Sequence, residues 1–307
     1  LSYTLAVLLV EHHVIAAKIA FAGAFGIGKS APFSNSYYRL VFYRTLNQKS
    51  ERAAQGVSRL MSYLNEENVP TSGIGYYGNP IGNNPVESIM ELDKLNVRTN
   101  IGTDIFIYGF KYSKNWETEI LIAVLENFLM SFYRGQLRVK IQRREINKDT
   151  LKNYMMDMHN RYLGKTKSTY GNYLALVRTE GVYSYEKNFH ELGNLNLRIL
   201  VDPNEKLDRK VLIVRKAGMK LFRLGNISRL VPFTGILELQ GIKLNSYFRE
   251  METVAHDNWE PGRHSNPKQA KAYYEEIKDW IRSIVAKLAE ETSEDEIDVE
   301  GLGGVLQ

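Results

Sequence analysis

Cysteine is absent from the 307 residues, which excludes disulfides and every metal site built on thiolates, a zinc ribbon included. The six histidines show no metal-ligand spacing. Long apolar runs are missing as well. Residues 5–10 fall far short of the roughly 20 residues a membrane span needs, and no basic segment precedes them. Charge of one sign does not dominate: 40 basic and 35 acidic residues are interspersed, leaving a net charge of +5. That balance tolerates an acidic partner, nucleic acid among them, but marks no binding face. No internal repeat is visible. These absences together predict a cytoplasmic protein with no membrane partner. The first residue is Leu and residues 301–307 read like the middle of a sequence, so a piece of a longer chain is expected.

What the sequence does hold is ordinary apolar content with 19 Tyr and 12 Phe, enough large side chains for cores and interfaces. At this length two domains are expected rather than one. Residues 17–22 read as a short strand entering a glycine-rich turn, and 39–45 as the next strand. Ala53, Val57, Leu60, Met61 and Leu64 recur at helical spacing, which predicts a helix, while residues 71–84, rich in Gly, Asn and Tyr, predict a loop. In residues 104–110 both faces are apolar, the pattern of a buried central strand. Asn115 is placed to cap a helix over 116–133 in which Ile120, Val124, Leu125, Phe128 and Phe132 form a stripe; Gly135 ends it and 136–142 reads as a strand. A second unit is expected from about Asn147, with strands at 173–179, 196–201, 210–215 and 220–223 and a turn at Ala217-Gly218. The end is helical, capped by Ser265 or Asn266 with Pro267 in the first turn and a stripe of Tyr274, Ile277, Trp280, Ile281, Ile284 and Leu288. The acidic residues 290–300 read as a solvated linker.

The glycine-rich turn supports two readings. Gly23-x-x-x-x-Gly28-Lys29-Ser30 fits the P-loop (Walker A) pattern, in which backbone N–H groups cradle phosphates, the Lys meets the terminal phosphates and the hydroxyl binds Mg²⁺. That reading needs an acidic residue after an apolar strand, and Asp202 is the candidate. Pro32, Ser34, Asn35 and Ser36 make a poor start for the helix it also needs.

The same residues, Gly23-Ala24-Phe25-Gly26-Ile27-Gly28, resemble the G-x-F-G-x-G lid of the GHKL superfamily, the ATP-binding fold of gyrase, the ninety-kilodalton heat-shock chaperone, histidine kinases and MutL. Gly102-Thr103 opening an apolar strand resembles that superfamily's Gly-Thr motif, whose Thr lies near the adenine end of the pocket. Gly73-x-Gly75-Tyr76-Tyr77-Gly78, Arg98-x-x-Ile101-Gly102-Thr103-Asp104-Ile105, Val124-Leu125-Glu126-Asn127-Phe128, Arg215-x-x-Gly218-Met219, Met251-Glu252 and His256-x-x-Trp259 resemble a group of bacterial ATP-binding proteins found among phage-defence genes. The resemblance implies an α/β (α+β) fold. Its parts are a two-layer ATP-binding sandwich over residues 1–146, a transducer-like α/β domain over 147–263, and a helical segment with an acidic linker over 264–307.

The resemblance further implies an ATPase with ATP and Mg²⁺ as cofactors, working as a homodimer or driving a defence-system partner. Gly23, Phe25, Gly26, Ile27, Gly28, Lys29 and Ser30 are then expected at the phosphates and Thr103 toward the adenine; Arg215 or Lys216 is expected to meet the γ-phosphate. No residue is assigned to the metal. Two motifs of the superfamily, the Glu and Asn of an early helix and an Asp-x-Gly-x-Gly, are not visible before Gly23, where Glu11 is the only acid. Glu126-Asn127 is not a replacement for the first, since no Asn-x-x-Asp follows. The expectation is that these segments lie outside this sequence; the alternatives are a degenerate copy acting as an interaction scaffold, and the P-loop reading.

Overall fold

A computed structural model describes residues 9–11, 30–87, 98–253 and 257–297. It is a mixed α/β protein with three sheets and six α-helices among the described residues. In chain order these are β1 (Leu9–Glu11), α1 (Ala31–Ser34), β2 (Leu40–Leu46), β3 (Arg52–Arg59), β4 (Ile74–Tyr77), β5 (Gly102–Ile107), α2 (Trp116–Tyr133), β6 (Arg138–Ile141) and β7 (Arg144–Ile146). There follow α3 (Leu151–Arg161), α4 (Leu163–Val177), β8 (Val182–Phe189), β9 (Gly193–Val201), β10 (Lys210–Val214), β11 (Lys220–Leu224), β12 (Phe233–Gln240), α5 (Ile242–Arg249) and α6 (Pro267–Ile297). β1, β6 and β7 make one short sheet in that order. No helix among the described residues is long and apolar enough to cross a membrane.

The chain divides into two compact units. The first draws chiefly on Phe25–Thr118 and is built on a four-stranded antiparallel sheet of order β4-β3-β2-β5. Because paired residues share a face and neighbours alternate, the register sorts its side chains without ambiguity. Val41, Tyr43 and Thr45 of β2 lie beside Val57, Gln55 and Ala53 of β3 and beside Ile107, Ile105 and Thr103 of β5, all on one face. Arg44 and Asp104 share the other.

The second unit draws chiefly on Glu119–Val139 and Glu145–Gln307. Its five-stranded sheet, order β11-β10-β12-β9-β8, is antiparallel except for β10 beside β12. Leu195, Leu197 and Ile199 of β9 and Phe233, Leu237 and Leu239 of β12 point to one face. There they pack with Leu244 and Phe248 of α5 and with Ile277 and Ile281 of α6 in one buried core. On the opposite face Asn172 of α4 donates to the Thr234 hydroxyl and the Gly235 carbonyl, both at 3.0 Å. The terminal helix is thus a layer of this core. Asn266 caps it, accepting from the Gln269 N–H at 3.3 Å with Pro267 as its first residue.

Several local expectations are corrected. Residues 52–59 form β3 rather than a helix, because pairing with β2 on one side and β4 on the other outweighs a helical spacing of mostly small side chains. The expected loop over 71–84 contains β4. β5 is an edge strand of its sheet, with Ile105 exposed, not a buried central one. The apolar run from Tyr173 closes α4; runs this short suit a buried strand and a buried helix equally. The acidic stretch from Glu290 continues α6 as far as Ile297, in keeping with the helix propensity of Glu.

Candidate functional site

Ser30 and Thr103 stand on the same face of the first unit's sheet. Ser30 is the residue before α1, and its hydroxyl accepts a hydrogen bond from the Arg59 guanidinium at 2.9 Å. Arg59 closes β3, and its guanidinium carbon lies 4.6 Å from the ring centroid of the buried Phe33. The ring and the Ser30 hydroxyl hold the cation in place. At the far end of the ladder Thr103 pairs with Thr45, their hydroxyls 3.1 Å apart, and the Thr45 hydroxyl also donates to the Gly102 carbonyl at 3.1 Å. Arg59 and Thr103 are six strand positions apart, roughly 20 Å at the rise of an antiparallel strand. Between them lie Tyr43 and Gln55, the latter donating to the Asn83 carbonyl at 2.6 Å. Burial raises the pKa of Tyr43 above the ordinary phenol value, against the pull of the Arg59 guanidinium, so the phenol keeps its proton as a donor.

The opposite face explains why a glycine precedes Thr103. Arg44 donates to one carboxylate oxygen of Asp104 from Nε at 2.9 Å and from Nη2 at 2.7 Å, and Arg98 donates to the other oxygen. Arg98 also reaches the Ile101 carbonyl at 3.1 Å, while Arg52 donates to the Arg98 carbonyl at 2.8 Å. Gly102 has φ +143°, and a Cβ there would stand 2.1 Å from the Arg98 guanidinium. Only glycine lets the arginine lie across the start of β5. The two-arginine clamp on Asp104 thereby fixes the strand that carries Thr103.

Of the other expected phosphate contacts, Gly23, Phe25, Gly26, Ile27, Gly28 and Lys29 lie outside the described residues, as does His256. The sequence alone does not mark Arg59, because the helical spacing of its segment gives it no partner across a sheet.

Arg215 and Lys216 belong to the second unit and have different surroundings. Arg215 is buried and forms an ion pair with buried Glu252. Burial lowers the pKa of its guanidinium despite that carboxylate. Lys216 is exposed, on a turn whose backbone is held on every side. Its N–H donates to Asn245 Oδ1 at 3.2 Å and its carbonyl accepts from Arg134 at 3.0 Å. The Ala217 carbonyl accepts from the Ser131 hydroxyl at 2.9 Å, and the Gly218 N–H donates to the Arg215 carbonyl at 2.7 Å. The turn therefore presents one exposed ammonium on a rigid mount, and the adjacent guanidinium anchors the mount.

Asp202, the acid that the P-loop reading requires, accepts from Arg178 at 2.7 Å and from the Asn204 N–H at 3.0 Å. Glu126 is bound by Lys220 and Arg223, and Asn127 donates to the Ala123 carbonyl of its own helix. Trp259 is a core residue against Phe222 and Phe248. Among the described residues no three or more His, Cys, Asp or Glu side chains converge for a metal ion.

No protein-family model matches the chain, and no curated protein matches it. Among solved structures it is similar to the crystal structure of the 43K ATPase domain of Thermus thermophilus gyrase B in complex with an aminocoumarin, at 9% identity and a TM-score of 0.32. The superposition covers 87% of this chain and 71% of that chain. A likeness of that size carries no argument about this protein.

Proposed function

We propose that the chain binds ATP on the Ser30 to Thr103 face of the first unit and uses it as a conformational switch of the GHKL kind. The observation that carries this reading is the placement of Ser30 and Thr103, expected at opposite ends of a nucleotide, at opposite ends of one sheet face. Arg59 adds a held cation at the phosphate end, where charge-assisted bonds to phosphate oxygens are strongest. The Thr45 and Thr103 hydroxyls with the exposed edge of Ile105 offer polar and apolar contact suited to a base. ATP supplies the phosphoanhydride whose binding and cleavage would drive the switch. The glycines of Gly23–Gly28 would let the backbone close over it.

Of the two candidate cations in the second unit, Lys216 is exposed and Arg215 is buried in an ion pair with Glu252. In this reading the first unit binds the nucleotide, and the second, which takes in residues 119–139 and the terminal helix, is the transducer-like part. Slow hydrolysis with Mg²⁺, a cytoplasmic setting, and an antiviral-defence partner complete the proposal. The metal is given no ligands here, because the described residues offer no carboxylate cluster. Against the P-loop reading stand a four-residue α1 after Ser30 and a purely antiparallel first-unit sheet, where that motif needs a long helix in a parallel βαβ unit.

Calorimetry with ATP and a non-hydrolysable analogue in the presence of Mg²⁺ tests the reading. Binding is expected for the wild-type chain and lost in Gly26→Val. Arg59→Ala should weaken it roughly tenfold or more through loss of a charge-assisted contact, whereas Asp202→Ala should leave it unchanged. A wild-type chain that binds neither nucleotide refutes the proposal and leaves an interaction scaffold.

A further inference from the structure

In the second unit, the face of the five-stranded sheet turned away from the buried core carries polar side chains in an ordered array. The register places Ser184, Arg198 and Ile236 on one rung and Glu186, Asn196 and Glu238 on the next. Both rungs belong to the alternation opposite Leu195, Leu197 and Ile199 of the core. Met130, Tyr133 and Arg134 of α2 and Leu176 of α4 complete a cavity of about 410 Å³ over these rungs, within the size range of small-molecule sites. Its apolar lining is the buried Met130, Leu176 and Ile236. Ser184 and Glu186 are exposed, so the cavity opens along β8.

One wall of the cavity is closed on itself. Arg134 pairs with Glu238, which also accepts from Gln240 Nε2 at 2.9 Å. The charges left over are Arg198 and Glu186. Arg198 donates from Nη1 to the Leu176 carbonyl at 3.1 Å, which fixes its plane, and its Nε and Nη2 have no partner among the described residues. Glu186 accepts from Asn194 through Oε1, and its Oε2 has no partner among the described residues. Alternate residues of a strand are roughly 7 Å apart, a step that long side chains on neighbouring rungs ordinarily bridge. These two opposite charges nevertheless do not pair. Asn196 stands opposite Glu186 and two residues from Arg198. Its Oδ1 is buried with no hydrogen-bond partner, a state that native interiors rarely leave unsatisfied.

We infer that this cavity binds an α-amino acid with a large apolar side chain. Arg198 and the Ser184 hydroxyl take the carboxylate, Glu186 and Asn196 Oδ1 take the ammonium, and the side chain lies on Met130, Leu176 and Ile236. Opposite charges borne on one carbon fit a cation and an anion on neighbouring rungs. Each group reaches about 2.8 Å to its partner, and the two together span the step that separates Arg198 from Glu186. A ligand of one sign fits less well: an anion leaves Glu186 without a counter-charge, and a cation leaves Arg198 without one. Asn196 Oδ1 only accepts, so it calls for an N–H on the ligand. The site lies wholly within the second unit, needs no nucleotide and stands apart from the ATP reading.

Calorimetry of the chain without nucleotide decides it, with L-phenylalanine, L-leucine and L-methionine as probes. At least one is expected to bind. For that amino acid, the analogue lacking the ammonium and the analogue lacking the carboxylate (phenylpropionate and phenethylamine for phenylalanine) should each bind about tenfold more weakly or worse, through loss of a charge-assisted contact. Arg198→Gln should weaken the amino acid by a similar factor and leave the amine analogue unchanged, whereas Glu186→Gln should weaken the amino acid and leave the acid analogue unchanged. Should Arg198→Gln lose the wild-type circular dichroism spectrum, the exposed Glu186→Gln decides alone. A wild-type chain that binds none of the three with a dissociation constant below about 1 mM, an analogue of one charge that binds as tightly as its amino acid, or binding that Glu186→Gln or a folded Arg198→Gln leaves as tight, overturns the inference.

Discussion

Charged side chains in this protein divide by depth into two kinds. The Arg215–Glu252 pair is buried at both ends, where desolvation is costly and the pairing offsets it. Removing one member deprives the other buried charge of this ion pair. Glu252→Gln is therefore expected to lower the unfolding free energy by about 3 kcal/mol, read from urea denaturation, while Lys216→Ala, on the same turn but exposed, changes it within about 0.5 kcal/mol. Glu126 is nearer the surface. Burial pushes its carboxyl up, but hydrogen bonds and charge from Lys220 and Arg223 outweigh that and hold its pKa below the ordinary value. A carboxyl depressed in the folded state stabilises above its unfolded pKa, and that stability is lost as pH falls through the folded pKa. Denaturation midpoints measured on lowering the pH below the ordinary carboxylate range should fall more steeply in wild type than in Glu126→Gln.

Between elements, small residues decide how closely backbones meet. Gly218 sits at φ +81°, where a Cβ would lie 2.7 Å from Ser131 Oγ and 2.9 Å from the Ser131 N of α2. Gly218→Ala is expected to cost about 1–3 kcal/mol, from the left-handed backbone and the displaced turn together. Thermal unfolding measures that cost. Long periodic elements were legible from sequence: α2 begins and ends where the spacing of its apolar residues predicts, and so does the start of α6. The buried stripe of α2 nevertheless runs through Leu121, Leu125, Leu129 and Phe132, one position away from Ile120, Val124 and Phe128. Phe128 has φ −127° and ψ 20°, a kink that periodicity alone does not reveal. β3 was illegible for a different reason. Its residues are mostly small and only partly buried, and what makes them a strand is the pairing on both sides.

Across the whole molecule, the described chain divides into two compact units, one built on the four-stranded sheet and one on the five-stranded sheet. The first holds Ser30, Arg59 and Thr103 on one face. The second holds Lys216 on a mounted turn. The sequence by itself determined the mixed α/β class, the long helices, the glycine loop and the Gly-Thr pair as places of interest, because composition, spacing and glycine are local properties. Only the tertiary structure decided that Arg59 faces Ser30, that Gly102 makes room for Arg98, that Arg215 is buried while Lys216 is presented, and that β4 lies at an edge. Each of these depends on strand register and on contacts between residues distant in the chain. Register assigns a face to every side chain two residues at a time, and no local pattern in this sequence encodes it.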